Sequence, residues 1–188
     1  MSDLADGITI TRQPLRGMIT LRGDFADTDF KNAVTGLMGV DIPGIRAMQH
    51  SGGRSVAWMS PDELMLMLPY GDVTATLTTI AKALGSQHHL AADVSDARVI
   101  FALKGPGARE VLAKGAPVDL SPAAFGSGEI RRTRLGQVAC AFWMTDEDAF
   151  EIMAFASVAE FVAEWLNTAA RKGSLPHYFA ASGPAVTS

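Results

Sequence analysis

Apolar positions along this 188-residue chain follow two spacings: short runs typical of strands, and three-to-four-residue spacings typical of helices. The clearest combination begins with an apolar run at Val99–Leu103. The chain then turns at Lys104-Gly105-Pro106-Gly107 and continues as a helical pattern over Ala108–Lys114. Gly115-Ala116-Pro117 is a typical helix stop. This stretch predicts a strand, a glycine turn and a short helix.

A weaker copy of the same plan lies upstream. Met18–Gly23 predicts a strand and Asp27–Leu37 a helix, with Asp27 or Thr28 as N-cap. A hairpin follows, in which Val56–Met59 and Leu64–Leu68 flank a turn with proline at its favoured second position. The return strand is apolar throughout, so we expect it to be buried on both faces.

The remaining elements are predicted from the same spacings and from turn residues. Ser157, with Glu160 three residues on, indicates a capping box for the last helix. The full set comprises a short strand at Ile8 and Ile10, another near Ile45–Met48, a helix that Asp72 caps and that runs from Val73 to Leu84 before Gly85, strands at 129–135, 137–144 and 150–155, and a final helix whose apolar face runs from Val158 to Ala169.

Several landmarks recur at nearly one offset. Gly23 of Leu21-Arg22-Gly23 matches position 105, which is 82 residues later, and Trp58-Met59-Ser60 matches Trp143-Met144-Thr145, which is 85 residues later. Only two copies exist, so the pattern indicates an internal duplication and not a solenoid. We therefore predict an α+β fold of two tandem β-α-β-β-α units, with antiparallel or mixed sheets and helices packed on one face. The predicted boundaries are 1–92, 93–172 and a tail at 173–188.

Composition narrows the class of protein. Hydrophobic residues make up 48% of the chain and charged residues 19%, with a net charge of −4. That balance is typical of a globular domain and argues against nucleic acid as the main partner. The acidic first ten residues lack a long apolar stretch, and no run reaches the length of a membrane span. We expect a soluble, cytoplasmic protein with no membrane partner.

The glycine turn is the first candidate for chemistry. A glycine loop before a helix can hold an anion through backbone N–H groups. The turn matches neither a Walker loop nor G-x-G-x-x-G, however, and Pro106 lacks an N–H donor. A structural turn is the favoured interpretation.

Two residues, Ser95 and Cys140, are possible nucleophiles. Ser95 lies between Asp93 and Asp96 but lacks a G-x-S-x-G context, so turn hydrogen bonding is favoured. The single cysteine, Cys140, lies in the apolar run Val138–Trp143 without a basic neighbour in sequence, which favours a place in the core. We assign no catalytic residue, and the cofactor-binding residues remain unknown.

The histidines and the densest group of arginines are candidates for a metal site and a basic site. The four histidines, at 50, 88, 89 and 177, form no H-x-x-x-H pattern, and no C-x-x-C exists, so no metal ligand is assigned. His88-His89 would point to opposite faces of a strand. Arg131, Arg132 and Arg134 are read as the solvated face of a strand.

Three longer motifs carry a family resemblance. They are Asp93–Arg98 (DVSDAR) followed by Leu103–Phe125 (LKGPGAREVLAKGAPVDLSPAAF), Trp58–Pro69 (WMSPDELMLMLP), and Phe150–Leu166 (FEIMAFASVAEFVAEWL). In these motifs the chain resembles the gamma subunit of heterotetrameric sarcosine oxidase. That family is similar in turn to part of the folate-binding aminomethyltransferase fold, as in the T-protein of the glycine cleavage system.

The resemblance implies a non-catalytic subunit of a complex that oxidatively demethylates sarcosine to glycine in a folate-linked reaction. It implies that this chain binds no cofactor alone, while the complex uses FAD, FMN, NAD and tetrahydrofolate. The implied partner is the alpha subunit, at its aminomethyltransferase-like part, and through it beta and delta. A stand-alone folate-binding or aminomethyl-transferring protein is the alternative. A scaffold for another metabolic enzyme is a third, weaker one.

Overall fold

The computed structural model describes residues 3–179. Within that range the chain forms ten strands and four α-helices. In chain order they are β1 (Thr9–Arg12), β2 (Gly17–Arg22), α1 (Thr28–Met38), β3 (Met48–Ser51), β4 (Arg54–Ser60), β5 (Glu63–Leu68), α2 (Val73–Leu84), β6 (Leu90–Asp93), β7 (Arg98–Lys104), α3 (Ala108–Ala113), β8 (Ile130–Leu135), β9 (Val138–Asp146), β10 (Ala149–Phe155) and α4 (Ala159–Ala169). None of these helices is long and apolar enough to cross a membrane.

The first compact unit comprises Pro14–Arg98 and Gly128–Ile130. Its sheet has the order β3-β4-β5-β2-β6, and each strand pair is antiparallel. Alternate residues of the central strands, such as Ile19, Leu21, Leu64 and Leu66, share one core with apolar residues of α1 and α2. Both helices therefore cover the same face of this sheet.

The second unit has as its described part residues 3–13, Val99–Ser127 and 131–179. Its sheet has the order β1-β7-β10-β9-β8, with β1 antiparallel to β7 and β9 antiparallel to β10. Phe101, Leu103, Phe142 and Phe150 form a core with the apolar residues of α3 and α4. The two antiparallel sheets and four helices confirm the predicted α+β class.

The two sheets have equivalent strand orders. If β3, β4, β5 and β2 are matched to β8, β9, β10 and β7, the fifth strands are β6 and β1. Matched elements are also evenly offset, because β2 and β7 begin at 17 and 98, 81 residues apart, and α2 and α4 begin at 73 and 159, 86 residues apart. This equivalence supports the duplication, which remains our interpretation.

The fifth strands are exchanged relative to chain order. β1 directly precedes β2 in sequence but pairs with β7, so that Thr9 lies opposite Lys104. β6 directly precedes β7 but pairs with β2, so that Thr20 lies opposite Ala92. Each unit therefore contains five strands, two more than the three of the predicted β-α-β-β-α plan. β1 groups with the second unit and not with the rest of the first ninety residues.

The helix caps match the predictions in part. Asp27 caps α1, since its side chain accepts a hydrogen bond from the N–H of Phe30 at 2.8 Å. The Ser157 capping box is wrong: residues 156–158 form a 3₁₀ turn, and α4 begins at Ala159 without a side-chain cap. Asp72 precedes α2 but caps nothing with its side chain, which instead binds Arg54 at 2.7 Å.

Two strand predictions also have clear outcomes. Leu64–Leu68 is buried at every position, as its unbroken apolar run predicts. The predicted strand near Ile45–Met48 begins only at Met48, and Ile45 is among the most exposed apolar side chains.

His88 and His89 lie in the loop before β6 and not in a strand.

Candidate functional site

The second unit contains a cleft of about 710 Å³. Five segments line it: the N-terminal residues before β1, the turn before α3 with the start of that helix, the loop after α3, the β9–β10 hairpin tip, and the C-terminal segment at 172–179. Its size falls within the range of small-molecule sites. The predicted tail thus takes part in this cleft as far as Phe179, while residues 180–188 of that tail lie outside the described residues.

The glycines of the turn allow close packing on one wall of the cleft. Gly105 has φ +114°, and a Cβ there would lie 2.0 Å from the carbonyl oxygen of Gly7. Gly107 has φ +87°, and its Cβ would lie 2.6 Å from Leu175 Cδ1. These positive φ values are readily adopted only by glycine. Glycine at these two positions therefore lets the chain at Gly7 and at Leu175 pack directly against the turn.

Two backbone donors at this turn are already used. The Gly105 N–H donates to Asp148 O at 2.9 Å, and the Ala108 N–H donates to Gly105 O at 2.9 Å. An anion-binding loop needs such donors to face its ligand. The geometry therefore supports the structural interpretation of the glycine turn over the phosphate-holding one.

Glu110 is the unusual residue of the cleft. It is only 5% exposed, although glutamate is seldom buried without a partner. Its Oε1 accepts a hydrogen bond from the Phe179 main-chain N–H at 3.1 Å. Its Oε2 is buried and has no hydrogen-bond partner within the described part of the chain. A buried, half-satisfied carboxylate is costly, so its retention needs an explanation.

Arg109 is held by main-chain oxygens. Its Nη1 donates to Leu120 O at 2.6 Å and Phe125 O at 2.9 Å, and its guanidinium lies 5.5 Å from the Phe150 ring centroid. Burial lowers the pKa of Arg109, and the nearby Asp148 carboxylate opposes that shift. This side chain ties the loop after α3 to the helix.

Two lysines fasten the C-terminal segment. Lys114 Nζ donates to Ala169 O and, at 2.9 Å, to Ser174 Oγ. Burial lowers the pKa of Lys114, and the Glu110 charge opposes that shift. Lys172 Nζ lies 3.5 Å from Asp6 Oδ1 in an exposed pair. Neither lysine head group is hydrogen-bonded to the orphan oxygen of Glu110.

The nucleophiles considered from the sequence have structural surroundings. Ser95 is 2% exposed, its hydroxyl donates to Asp93 Oδ1 and it accepts from the Met18 N–H at 2.9 Å, which confirms the turn interpretation. Cys140 is 5% exposed and belongs to the core, as predicted. Burial raises the pKa of the Cys140 thiol to about 12.

The histidines and the basic run considered from the sequence do not form a common site among the described residues. Across residues 3–179, no group of three or more His, Cys, Asp or Glu side chains is placed to hold a metal ion. His50 lies on β3, His89 Nδ1 contacts Gln87 O, and His177 lines the cleft. In the basic run, Arg132 and Arg134 are exposed as predicted, but Arg131 is half-buried, 4.9 Å from the Phe125 ring centroid.

Sequence reasoning missed Glu110 and the C-terminal segment. Glu110 lies in α3, which has only six residues. In so short a helix the spacing of apolar residues does not show which positions are buried and which are exposed. The available signal was in the tail: Leu175 and Phe179 are spaced four residues apart, and both pack against the core of the second unit.

Together these features define a two-unit α+β domain with a structural glycine turn and a cleft lined in part by charged side chains. Residues 22–172 match the family described as "Sarcosine oxidase, gamma subunit family". The chain belongs to this family, which confirms the resemblance of its motifs.

Curated relatives agree with that assignment. The chain is 35% identical over 114 residues to the sarcosine oxidase subunit gamma of Corynebacterium sp. (strain U-96), covering 61% of this chain and 55% of the relative. It is 32% identical over 124 residues to the subunit gamma from Arthrobacter sp, covering 66% of this chain and 60% of the relative. The matches thus span somewhat more than half the length of these relatives.

Solved structures show the same fold. A chain of heterotetrameric sarcosine oxidase from Corynebacterium sp. U-96 in complex with pyrrole 2-carboxylate has a TM-score of 0.81 and 29% identity, covering 89% of this chain and 87% of that one. The aminomethyltransferase T of the glycine cleavage system from Bartonella henselae has a TM-score of 0.64 and 17% identity, covering 87% of this chain and 46% of that one. The second similarity concerns the fold alone.

Proposed function

We propose that this chain is a non-catalytic subunit of a sarcosine oxidase complex in the cytoplasm. In this proposal it docks on the aminomethyltransferase-like part of the alpha subunit, and through it joins beta and delta. The complex demethylates sarcosine oxidatively to glycine, and FAD, FMN, NAD and tetrahydrofolate are bound by its other subunits. The contribution of this chain is a folded surface and not a reacting group.

The observation that carries the proposal is the extent of the structural match. The alignment covers 89% of this chain and 87% of a chain from a heterotetrameric sarcosine oxidase, at a TM-score of 0.81. Both units are therefore represented in that relative. A subunit role needs this correspondence throughout the fold, because a docking surface depends on shape and not on a short motif.

Two described side chains support a non-catalytic role. Ser95 is almost wholly buried and its hydroxyl is already hydrogen-bonded to Asp93. The Cys140 thiol, with a pKa of about 12, is protonated near neutral pH, whereas a reactive cysteine needs its thiolate. The nucleophiles that the sequence offered thus act in packing and in a turn.

Each unit also has exposed large apolar side chains. In the first unit Leu15, Ile45 and Leu90 are more than half exposed. In the second unit Phe155, Phe161 and Tyr178 are exposed. Single exposed apolar side chains are ordinary on a protein surface, whereas large aromatic and aliphatic groups are typical anchors at the core of an interface. These six residues are the first to test for docking.

The purified full chain tests the non-catalytic role. We expect no flavin absorbance and no sarcosine-dependent hydrogen peroxide from the chain alone, with peroxide formation only in the assembled complex. Turnover by the single chain would overturn the proposal. A parallel titration with tetrahydrofolate tests the alternative function, since saturable micromolar binding would favour a stand-alone folate-binding protein.

A further inference from the structure

The cleft of the second unit carries more negative than positive charge. Four carboxylates line it, from Asp6, Glu110, Glu147 and Asp148, against the cations of Arg109 and Lys172, which leaves a formal charge of −2 for these six side chains. Lys172 pairs with Asp6, and Arg109 donates to carbonyl oxygens. Neither cation is hydrogen-bonded to Glu110. The cleft therefore favours a cation.

Glu110 gives this preference a specific acceptor. Its Oε2 is buried without a partner in the described chain, whereas Oε1 is already bonded to the Phe179 N–H. An ionised carboxylate oxygen removed from water gains most from a charged N–H donor, because charge-assisted hydrogen bonds are about twice as strong as neutral ones. The unpaired Oε2 of Glu110 is therefore a position at which a donor from a bound ligand would form a hydrogen bond.

The remaining lining selects the kind of cation. Residues 3–179 offer no group of three His, Cys, Asp or Glu side chains arranged around a metal ion. Ala5, Pro106, Pro122 and Leu175 give the cleft apolar walls. A donor with N–H bonds and a small hydrocarbon part fits such a lining better than a hydrated metal ion, which needs several oxygen ligands.

We propose that this cleft binds a small organic ammonium ion, with an N–H group of the ligand donating to Oε2 of Glu110. The apolar part of the ligand lies against the proline and leucine side chains. Because Oε2 is covered, the ligand enters by displacing part of the C-terminal segment, whose Phe179 N–H is bonded to the other oxygen of the same carboxylate. This site is independent of the proposed subunit role.

Nuclear magnetic resonance on the ¹⁵N-labelled full chain tests the proposal. The chain is titrated with propylammonium chloride at constant ionic strength, set with potassium chloride. We expect saturable shifts of the main-chain amides of Gly107, Glu110 and Phe179. Tetramethylammonium has the same charge but no N–H donor, and we expect no saturable shift from it at the same concentrations.

Two variants locate the acceptor. Glu110→Gln keeps an oxygen for the Phe179 N–H but removes the negative charge, and we expect propylammonium to bind at least about tenfold more weakly. Glu147→Gln removes an exposed carboxylate from the same lining, and we expect a change of less than about threefold. Amide spectra of both variants report whether the fold is intact.

Several results would overturn the site. They are an absence of saturable shifts in the wild-type chain, equal responses to propylammonium and tetramethylammonium, equal binding by Glu110→Gln, and tighter binding of magnesium than of propylammonium. If Glu110→Gln does not fold, the comparison of the two ammonium ions on the wild-type chain still decides. Because the test uses the chain alone, its failure leaves the subunit proposal standing.

Discussion

The main chain of Gly7 approaches Gly105 so closely that a Cβ on Gly105 would lie 2.0 Å from the Gly7 carbonyl oxygen. This contact sits beside the pairing of β1 with β7, where Thr9 lies opposite Lys104. Gly105 also has φ +114°, which side-chain-bearing residues rarely adopt. The glycine turn thus allows the N-terminal segment to pack closely against the rest of the second unit.

We expect Gly105→Ala to lower the free energy of unfolding by about 2–4 kcal/mol, because both backbone strain and the clash with Gly7 must be relieved. The measurement is chemical denaturation followed by circular dichroism. Gly44→Ala is the matched control, since nothing lies within 4 Å of its Cβ position, and we expect a change within about 0.5 kcal/mol. Equal midpoints for the two variants would show that the close approach is unimportant.

The cap of α1 gives a second stability prediction. Asp27 accepts a hydrogen bond from the Phe30 N–H at 2.8 Å, so Asp27→Ala leaves a helix donor without its partner. We expect a loss of about 1 kcal/mol in the same denaturation experiment. Asp27→Asn keeps an acceptor at this position and should retain most of the stability. A loss as large as that of the alanine variant would contradict the capping role.

The Cys140 thiol should be inert in the folded chain. A pKa raised from 9.0 to about 12 reduces the thiolate fraction roughly a thousandfold, and the side chain is only 5% exposed. We expect very slow labelling by an aromatic disulfide reagent at pH 8, and complete labelling in guanidinium chloride. Thr74→Cys in a Cys140→Ala background places a thiol on an exposed helix position and should react at once. Rapid labelling of the native wild-type chain would disprove this placement.

Asp62 predicts a local pH dependence. Hydrogen bonds from Ser60 and then from Arg22, at 2.7 Å and 2.5 Å, hold the pKa of Asp62 below its ordinary value. A carboxyl group with a lowered folded pKa adds stability above its unfolded pKa of about 3.9, and that stability is lost as the pH falls through the lower folded value. Since the Ser60 bond is the largest cause, Ser60→Ala should raise the pKa of Asp62.

Carboxyl ¹³C titration by nuclear magnetic resonance measures that shift directly. Thr79→Ala is a suitable control, because it removes an exposed hydroxyl that donates to the Ala75 carbonyl oxygen on α2. We expect the Asp62 midpoint to be unchanged in this control. The same midpoint in the wild-type chain and in Ser60→Ala would refute the assigned cause.

Features set by neighbouring residues were predictable from the sequence. The β4–β5 hairpin follows from Pro61 in its turn, and the α1 cap follows from Asp27 three residues before Phe30. The exchange of β1 and β6 was not predictable from the sequence. Thr9 pairs with Lys104, 95 residues away, and the apolar pattern of a strand does not show which other strand it pairs with. Strand spacing specifies a buried face and leaves long-range pairing open.

The candidate site was less accessible to sequence reasoning than the fold. Glu110 is buried and accepts a hydrogen bond from the Phe179 N–H, which lies 69 residues further along the chain. The Ser157 motif failed for a local reason, since residues 156–158 form a 3₁₀ turn and the helix starts at Ala159, one residue later than a cap at Ser157 predicts. Short polar motifs indicate a helix start only where the backbone before it is extended.

The central claim is that this chain is a docking subunit, and its most direct test is co-purification of the tagged full chain from cells that also express the alpha, beta and delta subunits. We predict a complex with this chain and the alpha subunit in a one-to-one ratio, with flavin absorbance and sarcosine-dependent peroxide formation. Ile45→Asp and Phe155→Asp, in separate variants, identify which unit carries the docking face. Recovery of the chain free of the alpha subunit, while the other three subunits assemble and turn over sarcosine normally without it, would contradict the account.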